Sequence, residues 1–270
     1  MNQWVESEGG FQWRGESAMA GNWAVKYRDV TPGLYFQPAG RDSWYGPFLG
    51  VLGLTARSRG ECGNVSSACL VHTETLREHV ELEFQPPDWH DTTLRFTWSC
   101  TAPHQFDLLA EISTRSVGML CGVEVGVVSS AASVPEPVSE WLLAVRDEPA
   151  SMRSIDGREP RFNAQDVAFG IDETVSGYGP DREWPPTLLT SNDETVRFLE
   201  TAHPHDISRR YRSNDGRTQR TWTLGYDMER GIILRARLRG RFMAADEQAD
   251  WSAVHSWQEA FLNAPLPLER

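Results

Sequence analysis

"TTLRFTWSC", residues 92–100, decides the fold. Leu94, Phe96 and Trp98 share one parity, and Thr93, Arg95 and Thr97 share the other. A strict period of two is the mark of a β-strand with one buried face and one wetted face. Working outward, "HTETLREHVELEF" (72–84) sets Leu76, Val80, Leu82 and Phe84 against Arg77, His79, Glu81 and Glu83. "QFDLLAEIST" (105–114) and "VGMLCGVEVGVV" (117–128) continue the series, and the close spacing of turn signals favours antiparallel connections over helical crossovers. In "GIILRARLRGRFM" (231–243) the same period assigns Ile232, Leu234, Ala236 and Leu238 to the buried side. Arg235, Arg237, Arg239 and Arg241 then leave the opposite face as a ladder.

The first 60 residues are rich in glycine and aromatics and are broken by Pro-Gly, Ala-Gly and Tyr-Gly-Pro, which predicts short strands with tight turns. "PEPVSEWLLAVR" (135–146) places Val138, Trp141, Leu142 and Val145 at helical spacing, and residues 147–194 are then dense in Pro, Gly, Asp and Ser, predicting a long irregular loop. From Thr195 a strand meander is expected, turning at "SNDG" (213–216) and "DMERG" (227–231). A closing helix is predicted over 246–262, with Trp251, Val254, Trp257 and Phe261 as its apolar stripe packed back on the sheet.

These readings give one β-rich domain over 1–270. The fold class is all-β, a large antiparallel β-sandwich of supersandwich type with one or two short helices; a lipocalin-like or cupin-like barrel is the alternative. In strand order and length the chain resembles the galactose-mutarotase-like supersandwich of carbohydrate enzymes. No asparagine-histidine catalytic motif is present, so the resemblance implies a fold and a substrate class and carries over no site residues.

Composition narrows the partners. The chain is 40% hydrophobic and 24% charged, the balance of a folding globular protein. Its formal charge of −12 argues against nonspecific nucleic acid or an anionic membrane surface as partner. No run is long and apolar enough to span a bilayer, and "MNQWVESEGG" lacks the features of a signal peptide. A cytoplasmic location is expected, or export if a leader has been trimmed. Cys62, Cys69, Cys100 and Cys121 form no metal-finger pattern, and reduced thiols are expected. Among 26 basic residues only Lys26 is lysine, and ten arginines crowd between Arg209 and Arg241. Genome composition accounts for arginine replacing lysine, but not for the crowding.

"RFLETAHPHDISRRYR" (197–212) is the densest candidate site. If the strand runs through 203, His203 and His205 share a face with Thr201, and Glu200 and Asp206 take the other. The imidazoles would act as general acid and base, or begin a metal site completed by His72, with Glu74 on the same parity. No cofactor is expected beyond such a divalent metal. Pro204 points to the plainer reading, a strand end where the histidines turn the chain. Arginines from the ladder, Arg235, Arg237 and Arg239, with Arg210, would hold an anionic group, although the chain's own acids are the more economical partners. Trp44, Tyr45 and Trp184 are candidate platforms for a sugar ring, set against the alternative that the aromatics fill the core. The leading functional reading is a carbohydrate-active epimerase, lyase or hydrolase acting on an acidic sugar. The rivals are a noncatalytic carbohydrate-binding or assembly protein and a metal-dependent β-barrel enzyme; the partner is a small-molecule or oligosaccharide ligand, and the oligomeric state stays open.

Overall fold

The alternating segments do form strands, and every strand pairing among the described residues is antiparallel. The computed structural model describes residues 3–15, 21–56, 62–115, 119–133, 186–212, 219–225, 227–244 and 250–265. In chain order the strands are β1 (Gln3–Ser7), β2 (Gly10–Arg14), β3 (Gly21–Lys26), β4 (Gly33–Pro38), β5 (Tyr45–Phe48), β6 (Gly50–Ala56), β7 (Gly63–Asn64), β8 (Leu70–Leu76), β9 (His79–Phe84) and β10 (Thr92–Ala102). They continue as β11 (Gln105–Thr114), β12 (Met119–Leu120), β13 (Val123–Ser130), β14 (Thr187–Thr190), β15 (Arg197–Ala202), β16 (Ile207–Arg212), β17 (Gln219–Leu224), β18 (Met228–Glu229) and β19 (Ile233–Met243), followed by helix α1 (Trp251–Leu262).

A seven-stranded sheet in the order β14-β15-β19-β11-β10-β9-β8 forms one layer. It packs against a five-stranded sheet, β16-β17-β13-β6-β7, and a meander, β1-β2-β3-β4-β5, adds a further sheet to the same core; β12 and β18 make a short ribbon. Leu94, Phe96 and Trp98 of β10, Phe106 to Ile112 of β11 at alternate positions, and Leu234, Ala236, Leu238 and Phe242 of β19 are all buried and join one apolar cluster with Leu54, Val125, Trp222 and Trp23. Full burial of each such large side chain contributes about 1.5–3 kcal/mol. The layers are also stitched by a polar contact, since Trp98 Nε1 donates to the Leu49 carbonyl at 3.0 Å. At the centre, the Phe242 ring lies 4.4 Å from Trp23, 4.7 Å from Phe198 and 4.8 Å from Phe48. Gly240 breaks the apolar run of β19 for a steric reason: a Cβ there would stand 2.0 Å from the Phe198 ring.

Several expectations need correction. "HTETLREHVELEF" is a hairpin, reversing at Arg77 in the left-handed region (φ 47°), so parity does not carry across it. Val80, Leu82 and Phe84 are buried as read, but Leu76 is 60% exposed. Ile232 precedes β19 and is 50% exposed. The stretch after β15 is not a simple meander: β16 and β17 pair with each other and with β13 in the five-stranded sheet, and the chain returns to pair β19 beside β15. The turn at 227–231 is present, with Gly231 at φ 81°; that at 213–216 lies outside the described residues. So do the helix at 135–146 and residues 147–185 of the irregular stretch, whose last part instead carries β14. Helix α1 begins at Trp251, capped by the Asp250 side chain accepting from Ser252 N at 2.9 Å. It packs on the outer face of the seven-stranded sheet through Val254 and Trp257 against Leu199, Met243 and Leu188. All four cysteines are free thiols. No described helix is long and apolar enough to cross a membrane.

Candidate functional site

Pro204 ends β15. It lacks the amide a ladder needs, and the strand stops at Ala202 before a 3-10 turn over Pro204–Asp206, with His203 at its start. The two histidines therefore do not sit on one pleat. The turn nonetheless stacks their rings, with centroids 5.4 Å apart. It also swings Asp206 beneath them, where parity alone would have sent it to the other face. His203 Nδ1 lies 3.8 Å from Asp206 Oδ1, and the side chains are 16% and 13% exposed. Asp206 Oδ2 accepts the backbone N–H of Arg237 at 2.9 Å, and Arg237 Nε lies 3.9 Å from the same oxygen. The His203 N–H donates to the Arg237 carbonyl at 3.1 Å, fixing the turn against β19. The end of α1 closes over the group: the Phe261 ring packs 6.4 Å from His203, and Arg237 Nη1 donates to the Ala264 carbonyl at 2.9 Å.

Electrostatics in this group run against the usual order. Burial, helped by the Arg237 and His205 charges, pulls the His203 imidazole down to about 4. Burial also pushes the Asp206 carboxyl up to about 6, against the backbone amide and guanidinium of Arg237, which favour its charged form. The separation resembles an ion pair, yet the imidazole is neutral wherever the carboxyl is ionised, so no ion pair exists at neutral pH.

The arginine ladder does leave the outer face as read, and it meets the chain's own acids. Register sets Glu111 opposite Arg235 and Asp107 opposite Arg239. Arg235 Nε lies 2.7 Å from Glu111, and Arg239 holds both oxygens of Asp107 at 2.7 Å with its guanidinium 4.8 Å from the Phe261 ring. On β10, Arg95 reaches Glu83 at 3.1 Å, Glu81 at 3.3 Å and Glu111 at 3.7 Å. The expectation that Arg235, Arg237 and Arg239 hold an anionic ligand is thus corrected: Arg235 and Arg239 are in close ion pairs, and Arg237 lies buried against Asp206 and donates to the Ala264 carbonyl. The depression among Thr93, Arg95, Glu111, Ser113 and Ile233 is about 80 Å³, too small for a ring that needs a pocket of roughly 300 Å³ or more. Arg210 lies on β16 opposite Trp222, in the other sheet.

His72 and Glu74 are not brought to His203. They lie on β8, the far edge of the sheet, with four strands intervening, a separation of roughly 24 Å. A metal held by His203, His205 and His72 is therefore excluded by geometry. His72 and Glu74 instead meet Glu81, all three donor atoms lying within 4.8 Å, although Arg95 already occupies Glu81.

The aromatics are mostly core. Trp23, Tyr27, Tyr35, Tyr45 and Trp89 are buried, and Trp184 lies outside the described residues. Tyr45 donates to Asp193 Oδ2 at 2.7 Å. At Asp193 burial is outweighed by hydrogen bonds from Ser191, Tyr45 and Thr195, which hold the carboxyl well below the usual carboxylate range. Trp44 is half-buried with the Lys26 ammonium 3.6 Å over its ring, so that face offers no sugar platform. This group sits at the opposite end of β15 from His203, roughly 20 Å away along the strand. Sequence reasoning missed Asp206 as the partner of His203; its signal was Pro204, which predicts a turn and hence a change of face. Glu200, assigned to the face away from the histidines, is fully buried.

No protein-family model matches the chain, and no curated protein does. Among solved structures it is similar to a heparan sulfate lyase HepC mutant from Pedobacter heparinus, at 9% identity and TM-score 0.45, over 92% of this chain and 37% of that one. It is also similar to a GalM/aldose epimerase homologue from C. elegans, at 8% identity and TM-score 0.48, over 85% and 97% of the two chains. This chain thus spans little more than a third of the lyase. At such identities no residue or activity is transferred from either.

Proposed function

We propose that the chain is a carbohydrate-active enzyme whose proton-transfer group is the His203–Asp206 pair at the end of β15. The observation that carries this reading is the pair itself: His203 Nδ1 lies 3.8 Å from Asp206 Oδ1 with side chains only 16% and 13% exposed, a burial that lowers the imidazole and raises the carboxyl. Environments that drive neighbouring titratable groups past their ordinary values are characteristic of acid-base sites. The neutral imidazole serves as base and the protonated carboxyl as acid, with the exposed His205 at the rim. The antiparallel sandwich supports a sugar as ligand by analogy of fold alone, which does not fix an activity. Turnover needs His203 unprotonated and Asp206 protonated, so kcat/KM should rise with pH through about 4 and fall through about 6. The test is product analysis on a panel of acidic and neutral oligosaccharides, with His203→Gln abolishing turnover while its circular-dichroism spectrum at the assay pH stays that of the folded chain. Turnover retained by folded His203→Gln, or no product from the wild type, sinks the catalytic reading.

A second reading, a noncatalytic binding or assembly protein, is favoured by the internally paired arginine face. Tryptophan fluorescence titrated with the same panel separates the two: a binding signal without product supports this reading.

A further inference from the structure

Strand β8 ends the order of the seven-stranded sheet, and among the described residues no strand pairs with its outer edge. Val71 to Leu76 are all exposed, on both faces of the strand, and the apolar Val71 and Leu76 are 55% and 60% exposed. β1 meets this hairpin at its turn, where Trp4 N donates to the Arg77 carbonyl at 3.0 Å, past the last residue of β8. A bare edge is a template for another strand, and proteins commonly blunt it with lysine or proline. β8 carries neither.

Which backbone groups face outward follows from the turn. Leu76 pairs with His79 across a two-residue turn, so these two exchange backbone hydrogen bonds, and by alternation so do Glu74 with Glu81 and His72 with Glu83. The amides and carbonyls of Thr73 and Thr75 then point away from the sheet. A slip of register between Leu70 and His72 ends this alternation near Val71. The side chains are unbalanced as well. Glu74 stands opposite Glu81, a like-charged cross-strand pair. Arg95 contacts Glu81 and Glu83, whereas among the described residues Glu74 has His72 beside it at 4.0 Å.

We propose that β8 pairs with β8 of a second copy of this chain, antiparallel about a two-fold axis at Thr73, joining two seven-stranded sheets edge to edge. The strand sequence LVHTETL complements its own reverse in this register. Thr73 faces Thr73 of the second copy, and the two exchange backbone hydrogen bonds. His72 then faces Glu74 of the second copy, twice by symmetry, in the closer kind of cross-strand pair, and Leu70 faces Leu76. Each Glu74 so gains an imidazole directly opposite, where its own chain sets Glu81 against it. Neighbouring registers lose this match. An axis at Glu74 or His72 sets like residues against each other, and one at Thr75 or Val71 sets Glu74 or His72 against leucine. This goes beyond the His203–Asp206 reading and does not rest on it.

The test is sedimentation equilibrium of the full chain from about 5 to about 500 µM, a span that reaches weak association through a small area. The mass is expected to climb from 30.5 kDa toward twice that value. Thr73→Pro removes an outward amide while leaving the β8–β9 ladder its hydrogen bonds, and is expected to hold the folded chain monomeric. His72→Glu, which sets like charges opposite each other at two places, is expected to raise the dissociation constant at least about tenfold. Thr73→Cys reads the register independently of how Thr73→Pro folds: mild oxidation should join two copies through that position, mapped by peptide analysis, whereas Thr75→Cys should give no such bridge. A mass of one chain at every concentration overturns the proposal and leaves the edge to an extended peptide of another protein. Association unchanged in folded Thr73→Pro or in His72→Glu, or no bridge through Thr73→Cys, overturns it as well.

Discussion

At the residue scale, His203 and Asp206 make opposite contributions to stability, and the signs follow from their displaced values. His203, lowered from 6.5 to about 4, stabilises the fold fully above 6.5, and that contribution is lost as pH falls through 4. Asp206, raised from 3.8 to about 6, stabilises the fold fully below 3.8, and its contribution is lost as pH rises through 6. The two slopes nearly cancel between them in the wild type. Relative to it, Asp206→Asn should gain stability as pH rises from 4 to 6 and His203→Gln should lose it, each by up to about 3 kcal/mol. Urea melts across that window check both. Parallel pH curves for all three proteins would show that neither group is displaced. Gly240 gives a second residue-scale test. A Cβ driven into the Phe198 ring should cost Gly240→Ala about 2–3 kcal/mol, because β19 is held between β11 and β15 and has no room to retreat.

At the scale of elements, the β11–β19 pair explains why the arginine ladder is self-contained. Asp107 and Glu111 share the outward parity of β11, and register sets them against Arg239 and Arg235. The Asp107–Arg239 pair is two-pronged and largely shielded by α1, whereas Arg95 is 44% exposed. A double-mutant cycle should therefore give about 1–2 kcal/mol of coupling for Asp107–Arg239 and under about 0.5 kcal/mol for Glu83–Arg95. Equal couplings would mean that α1 shields nothing. Period two was legible wherever both ends of a strand stayed within one sheet, as in β10, β11 and β19. It failed at Leu76, where the apolar parity was carried across a turn at Arg77 that no Gly or Pro announces, and at Ile232, which stands between the Gly231 turn and the start of β19. The helix stripe was legible as well, through Val254 and Phe261, but not the face it covers. Docking α1 on the arginine row, with Phe261 over two guanidiniums, is a tertiary choice that no local period encodes.

For the whole molecule, composition and alternation sufficed for an antiparallel sandwich, because a 270-residue chain of short period-two strands has few other ways to bury its apolar faces. They did not show that β16 and β17 cross to the other sheet, since both sheets accept the same alternating pattern. Nor did they show that four strands separate His72 from His203, since strand order is not written in spacing. What is distinctive among the described residues is the proposed proton-transfer pair tucked under the C-terminal helix, beside arginines of β19 that are ion-paired within the chain. Its most direct test is an NMR titration of the seven histidines, with the His203 signal assigned by its loss in His203→Gln. The account predicts that this imidazole stays neutral until the pH falls to about 4. A midpoint at or above 6.5 would contradict it and remove the ground for a proton-transfer site at this turn.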